Sequence, residues 1–285
     1  MITRKPVAAG YFYESDPDEL RRKISSLFTH RLGPGRLPRA SSERRRESIG
    51  YVVPHAGYIY SGPIAAHVYT YVANEGRPDT FIILGPNHTG YGASIAVFPE
   101  GEWASPLGSV AIDSELSKEI VSESSFAKLD TVAHEGEHSI EVQLPFLLYF
   151  FGSTFKIVPI AMLYQAPQVA RDLAKAIHKA VDRLGRDVVV IASSDMTHYE
   201  PHEVAVRKDK LAINKILSLD PEGLYNVVMS REISMCGVGP VMTLLYYSIM
   251  LGCRKAELLK YATSGDVTGE KAWVVGYAAI RFSRI

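Results

Sequence analysis

Four stretches of this chain each bring a side chain that can bind a metal or move a proton to the end of an apolar run. "VVPHAGYIYSG" presents His55, "ILGPNHTG" presents His88, "IASSDMTHYE" presents Asp195 and His198, and "ISMCGVGPV" presents Cys236. Imidazoles combined with a thiolate or a carboxylate, with open positions left over, suit a first-row metal such as Fe(II), Zn(II) or Cu. A single histidine is more often a core residue whose ring nitrogens are hydrogen-bonded. Here the pattern repeats: His55 and His88 each follow an apolar run and a proline, and each is followed within two residues by a glycine, which permits close backbone approach to a ligand. Asp195 and His198, three apart, fall on one side of a turn or a first helical turn. Cys236 lies just ahead of a helical pattern, where backbone N–H groups and the positive dipole end would lower a thiol pKa.

A rival arrangement is "HEGEH" at 134–138, which fits the H-E-x-x-H pattern of zinc peptidases. That chemistry needs both histidines one turn apart in a regular helix. Gly136 costs about 1 kcal/mol in such a helix, and the apolar run "IEVQLPFLLYFF" starts only afterwards. His138 is therefore expected to reach the strand-end crevice as a polar side chain, and His134 to lie at the surface, as do His30, His178 and His202.

Such residues need a rigid frame. Runs at 49–53, 80–85, 155–162 and 187–193 are rich in β-branched residues and apolar on both faces, as central strands covered by helices are. Segments of helical period occupy 16–28, 62–73, 113–124 and 167–184, with Asp or Pro at their starts. The alternation predicts an α/β fold, one domain over residues 1–285, with a central mixed or mostly parallel sheet flanked by helices. Residues 255–264 and 271–282, joined by "GDVTG", read as a hairpin that adds antiparallel strands. Asp266 in that segment is read as structural, its Gly-Asp surroundings being what a tight turn requires. In open α/β sheets ligands collect beyond the carboxyl ends of the strands, which is where the four stretches lie.

Residues 29–48 are rich in Gly, Pro, Ser and Arg without apolar period, and predict an exposed loop within the domain. No aromatics interleave with the arginines as a base-stacking surface would need. Lys plus Arg equals Asp plus Glu at 31 each, so no overall field draws the chain to nucleic acid or an anionic membrane. The N-terminal stretch lacks the apolar core of a signal peptide, and no apolar run reaches the roughly 18 residues that span a bilayer, which predicts a cytoplasmic chain. The segment between Cys236 and Cys253 reads as a helix holding them roughly 20 Å apart, too far for a disulfide. Both are expected as free thiols, Cys253 as a small buried residue. The partner these observations leave is a small molecule or a short peptide.

"VPHAGYIYSG", "LGPNHTG", "EHSIEVQLPFL", "SSDMTHY", "CGVGPV" and "TSGDVTG", in this order, resemble the Memo family, and the likeness runs from "AGYFY" near the N-terminus to the final strand. That family is similar to the class III extradiol ring-cleaving dioxygenases, non-haem iron enzymes with an α/β fold. The resemblance implies that His55 and His88 are metal ligands and Cys236 the third, that His198 is an acid/base residue, and that Asp195 and His138 stand beside it in the pocket. Iron is the metal the resemblance favours, with copper or zinc as alternatives. The chain departs from the dioxygenases in the third ligand, a carboxylate there and a thiol here. A thiolate is softer, donates more charge and can itself be oxidised. Two functions follow. One is a dioxygenase-like, non-haem metal-dependent oxidoreductase acting on a hydroxylated small molecule, with His198 moving a proton and Asp195 tuning it. The other is a metal-binding or peptide-binding protein that keeps the pocket without ring cleavage, as the link of eukaryotic Memo proteins to phosphotyrosine peptides implies.

Overall fold

The four apolar runs expected to be strands form the middle of one sheet in the computed structural model, which describes residues 2–285. In chain order the strands are β1 (Thr3–Arg4), β2 (Ser48–Val53), β3 (Thr80–Pro86), β4 (Ile95–Val97), β5 (Glu102–Ser105), β6 (Gly108–Ile112), β7 (Ala127–Leu129), β8 (Lys156–Met162), β9 (Val188–Ser193), β10 (His198–Glu200), β11 (Lys255–Thr263) and β12 (Val274–Ser283). The helices are α1 (Pro17–Thr29), α2 (Tyr58–Glu75), α3 (Ser114–Glu123), α4 (Leu144–Phe151), α5 (Pro167–Leu184), α6 (His202–Leu217), α7 (Pro221–Ser230), α8 (Val238–Met250) and α9 (Ser264–Thr268).

The sheet runs β1-β5-β6-β8-β3-β9-β2-β12-β10, with β11 on β12 and β4 bridging β8 and β7. From β6 to β2 every neighbour is parallel. On one flank β12 pairs antiparallel with β2, β10 and β11; on the other β5 pairs antiparallel with β6. The sheet is thus mixed with a parallel centre. Period 2 divides its side chains between two cores. Ile82, Leu84, Val158, Ile160 and Val190 face α5 and α8 in one. Phe81, Ile83, Ile157, Val189 and Ile191 face α1, α2 and α4 in the other. Central strands apolar on both faces are what this double cover requires.

Local chemistry sets the helix ends. Asp16 caps α1 by accepting from the N–H groups of Asp18 and Glu19, and α5 runs from Pro167 to a left-handed Gly185. α2 starts a turn earlier than expected, so Pro63 lies inside it and the added turn carries Tyr58 to Tyr60. The hairpin expected at the tail also needs correction. β11 and β12 do pair antiparallel, but "GDVTG" is not a tight turn. It belongs to α9, where Thr263 and Asp266 form a capping box. Residues 30–47 carry no helix or strand, and Arg44 in that segment pairs with Asp187 at 2.9 Å. Among the described residues no helix is long and apolar enough to cross a membrane.

Candidate metal centre

β3, β9 and β2 are adjacent and parallel, so their exits are neighbours. His55, His88 and Asp195 are each the second residue beyond their strand, after Val53, Pro86 and Ser193. The register, Val53 beside Ser193 and Leu84 beside Ala192, brings His55 and Asp195 to one level and His88 one residue beyond it. Cys236 arrives from across the crevice, ahead of α8 and its N-cap Gly237. A Cβ on Gly237 would lie 2.6 Å from the Ser193 carbonyl, so only glycine lets this loop settle on the β9 exit. One donor atom from each of His55, His88 and Cys236 lies within 4.8 Å of the others, and Cys236 Sγ is 3.3 Å from His55 Nε2.

The hydrogen bonds behind the rings say which nitrogen faces this point. Ser193 Oγ lies 2.7 Å from the Ser139 carbonyl, which can only accept, so the hydroxyl proton is committed there. It accepts from Gln143 Nε2 at 2.9 Å, an amide whose orientation is fixed because the same nitrogen donates to the Pro54 carbonyl and its oxygen accepts from the Tyr69 hydroxyl. His55 Nδ1, 2.9 Å from Ser193 Oγ, must therefore be the donor. His88 Nδ1 donates to Glu137 Oε1 at 2.9 Å, and a carboxylate also only accepts. In both rings the lone pair is on Nε2, toward the shared point, with the rear N–H anchored as in metal-bound histidines.

Glu137 takes up its remaining capacity on the N–H groups of His88 (2.6 Å) and Ser139 (2.8 Å). Burial would raise its carboxyl, but His88 and these donors outweigh burial and hold it at about 2. Burial likewise opposes charge on His88, and the Glu137 carboxylate reverses that and raises its pKa. A second grouping, His88 with Glu137 and His138, has its donor atoms equally close. Because Glu137 already serves His88, this grouping is a hydrogen-bonded support for the first.

His138 reaches the crevice as expected, stacked between Phe12 (4.3 Å) and His88 (4.8 Å). Burial lowers its pKa, as it lowers that of His55, where His138 and His88 add to the effect. His198 donates from Nδ1 to the Ser234 carbonyl at 2.8 Å, which leaves its Nε2 as an acceptor. Asp195 accepts the His55 backbone N–H at 2.8 Å; burial raises its pKa to about 6 against the pull of that N–H. His138, His198 and Asp195 line one cavity of about 730 Å³ together with His55 and His88.

Several expectations fail. Cys236 does not have a lowered pKa, because burial, followed by the nearby Asp195 charge, pushes the thiol up and outweighs the Asp195 N–H that points at the sulphur. His134 is not at the surface. Its ring is fully buried against Phe98 and Trp103, its Nε2 donates to the Ala96 carbonyl, and burial depresses its pKa to about 4. Residues 132–134 form a 3-10 turn rather than an α-helix, so His134 and His138 diverge. His30, His178 and His202 are half-buried, and so is Cys253. Asp266 caps α9.

Sequence reasoning missed the supports. Glu137 was passed over inside the rejected peptidase pattern, although a charged residue beside "HSIEV" was a signal. Glu141, fully buried, pairs with Arg4 and accepts from Tyr13 and the N–H groups of Val7 and Ala8. That clasp ties the N-terminal segment down and sets Phe12 under His138. At the cavity mouth, Tyr60 and Tyr199 lie within stretches quoted for their histidines, but Glu270 and Trp273 belong to no such motif and were not foreseen.

A family model described as Memo-like protein matches residues 4–281. A MEMO1 family protein of Ignicoccus hospitalis is 54% identical over 282 residues, 99% of each chain, and one of Desulfurococcus amylolyticus is equally similar over the same span. Another, of Saccharolobus solfataricus, is 52% identical over 283 residues, again 99% of each chain.

Proposed function

This chain belongs to the Memo family, and we propose that it holds one transition-metal ion through His55 Nε2, His88 Nε2 and Cys236 Sγ and acts on a small molecule in the cavity beside it. The observation that carries this reading is the fixed tautomer of both rings: each commits its proton to a rear acceptor and turns its lone pair to the point the sulphur also faces. Two nitrogens and a sulphur suit iron, copper or zinc. When bound, the ion supplies Lewis-acid polarisation and, for iron or copper, one-electron chemistry.

The other groups divide the remaining tasks. His198, anchored at Nδ1 by the Ser234 carbonyl, accepts a proton at Nε2 from a substrate hydroxyl. Asp195 holds the His55 backbone in place and, with its raised pKa, carries a proton under mildly acidic conditions. His138, neutral between Phe12 and His88, presents a polar edge to the ligand. The dioxygenase-like reading belongs to this arrangement.

Cys236 favours a second reading, in which the pocket binds metal and ligand without ring cleavage, since a thiol stands where the dioxygenases use a carboxylate. Metal analysis of untagged, chelator-free protein tests the site. Wild type and His134→Ala should carry metal, while His55→Ala, His88→Ala and Cys236→Ser should lose at least about a hundredfold in affinity. Equal occupancy in all five proteins would remove the site. O₂ uptake by the metal-loaded protein with hydroxylated aromatic compounds separates the two readings: consumption that Cys236→Ser and His198→Ala abolish supports the enzyme, and none supports the binding protein.

A further inference from the structure

The cavity mouth differs chemically from its floor. Trp273, Tyr199 and Tyr60 stand around it, 69%, 70% and 41% exposed, and all three line the same cavity. Isolated exposed aromatics are ordinary, but three at one opening form a surface. Tyr199 is held there at a backbone φ of 56°, a left-handed conformation that a residue with a Cβ seldom adopts. Such conformations concentrate at functional sites. Glu270 joins them, its Oε1 accepting the Ala272 N–H at 2.7 Å, so that the loop carrying Trp273 also fixes the carboxylate. Among the described residues lining the cavity none is Lys or Arg, and the acidic ones are Asp195 and Glu270.

Ring faces carry negative charge and attract cations, and a carboxylate beside them adds to the attraction. Among the described residues lining the cavity, an anionic group at the mouth would find the like charge of Glu270 and no Lys or Arg. We propose that the mouth is a recognition subsite for a protonated amine, seated among Trp273, Tyr199 and Tyr60 with Glu270 as its counter-charge. The reading of the floor as a metal centre enters only in what it assigns to the other end of the ligand: a polar group near His55 and His88. The substrate class is then a small organic cation whose amine points outward.

The test uses three probes of one ring and similar length, phenethylamine, 2-phenylethanol and 3-phenylpropionate, on metal-loaded and chelator-stripped protein. Of the two tryptophans Trp103 is fully buried, so quenching by added probe reports Trp273, with calorimetry as a second readout. The amine should bind at least about tenfold tighter than either comparator, in the stripped protein as well. Glu270→Gln should weaken the amine by about fivefold or more and leave the alcohol within about twofold, while Trp273→Ala, read by calorimetry, weakens the amine. Alcohol or propionate binding the stripped protein as tightly as the amine, amine affinity unchanged in Glu270→Gln, or no binding of the amine at all would overturn the subsite. A failed metal centre would show instead as metal content unaffected by His88→Ala, with the stripped-protein preference intact.

Discussion

At the amino ends of β2 and β9, Glu75 is buried and both of its carboxylate oxygens accept hydrogen bonds. It accepts from the Ser48 N–H and hydroxyl, from Tyr51 and from Arg281, while Arg281 also reaches Glu47 and Arg44 bridges toward Asp187. Beyond the carboxyl ends of β2, β3 and β9, His55, His88 and His198 each anchor one ring nitrogen and line a cavity, the other nitrogen of His55 meeting only the Cys236 sulphur at 3.3 Å. Both ends bury polar groups, yet one is closed upon itself and the other is left short of partners. A closed network specifies the fold; acceptors held open at fixed positions are what a ligand site requires.

The largest expected effect falls on the closed end. Glu75→Ala should cost about 3–5 kcal/mol, because buried Arg281 keeps only the Glu47 carboxylate and the Ser48 and Tyr51 donors lose their acceptor, while metal content per folded molecule stays at the wild-type level. Chemical denaturation measures the first and metal analysis the second; a loss below about 1 kcal/mol would mean that this end is not the stabilising one.

Next is His134, a histidine buried away from the cavity, whose Nε2 is bonded to the Ala96 carbonyl while its Nδ1 has no partner. Its pKa is about 4 in the fold against 6.5 for the ordinary value. Between those values the unfolded chain binds the extra proton and the folded one does not, so stability present above pH 6.5 is lost as the pH falls toward 4. The loss is about 3 kcal/mol. Unfolding of stripped protein across this range should show it, and His134→Gln, which can still donate to the Ala96 carbonyl, should flatten the profile by that amount. An unchanged profile would place the acid sensitivity elsewhere.

A smaller effect sharpens the open end. Glu137→Gln keeps an acceptor for His88 Nδ1 but removes its charge, and should lower metal affinity about 10- to 100-fold with the fold retained. If affinity is unaffected, Glu137 supports only the backbone. The smallest change is Arg36→Ala in the exposed segment, which should alter stability by less than about 0.5 kcal/mol and metal content not at all.

How much of this could be read beforehand depended on distance along the chain. The strand exits were legible because β2, β3 and β9 are apolar on both faces and end abruptly in "PHAG", "GPNHTG" and "SSDMTHY", so fold and donors came together. The supports were not. Glu141 and Arg4 are 137 positions apart, and neither has a local pattern that names the other. His134 looked superficial because its own segment is polar; its burial comes from Phe98 and Trp103, contributed by another part of the sheet. The high pKa of Cys236 follows from how deeply the loop before α8 sinks, which the positive end of a helix does not report. α9 is a different case. Its signature, Thr263 three residues before Asp266, was present, but Gly-Asp-Val-Thr-Gly suggested a turn more strongly than a five-residue helix.

The position of β12 has a consequence for synthesis. It pairs with β2, β10 and β11, and every metal donor precedes it in the chain. A growing polypeptide therefore exposes His55, His88 and Cys236 while the free edge of β2 waits for its neighbour and the cavity lacks Trp273, Val275 and Tyr277. During that interval the donors can meet metal with no mouth to select what else enters, and the bare strand edge can pair with another chain. Insertion of a single strand ends both exposures together.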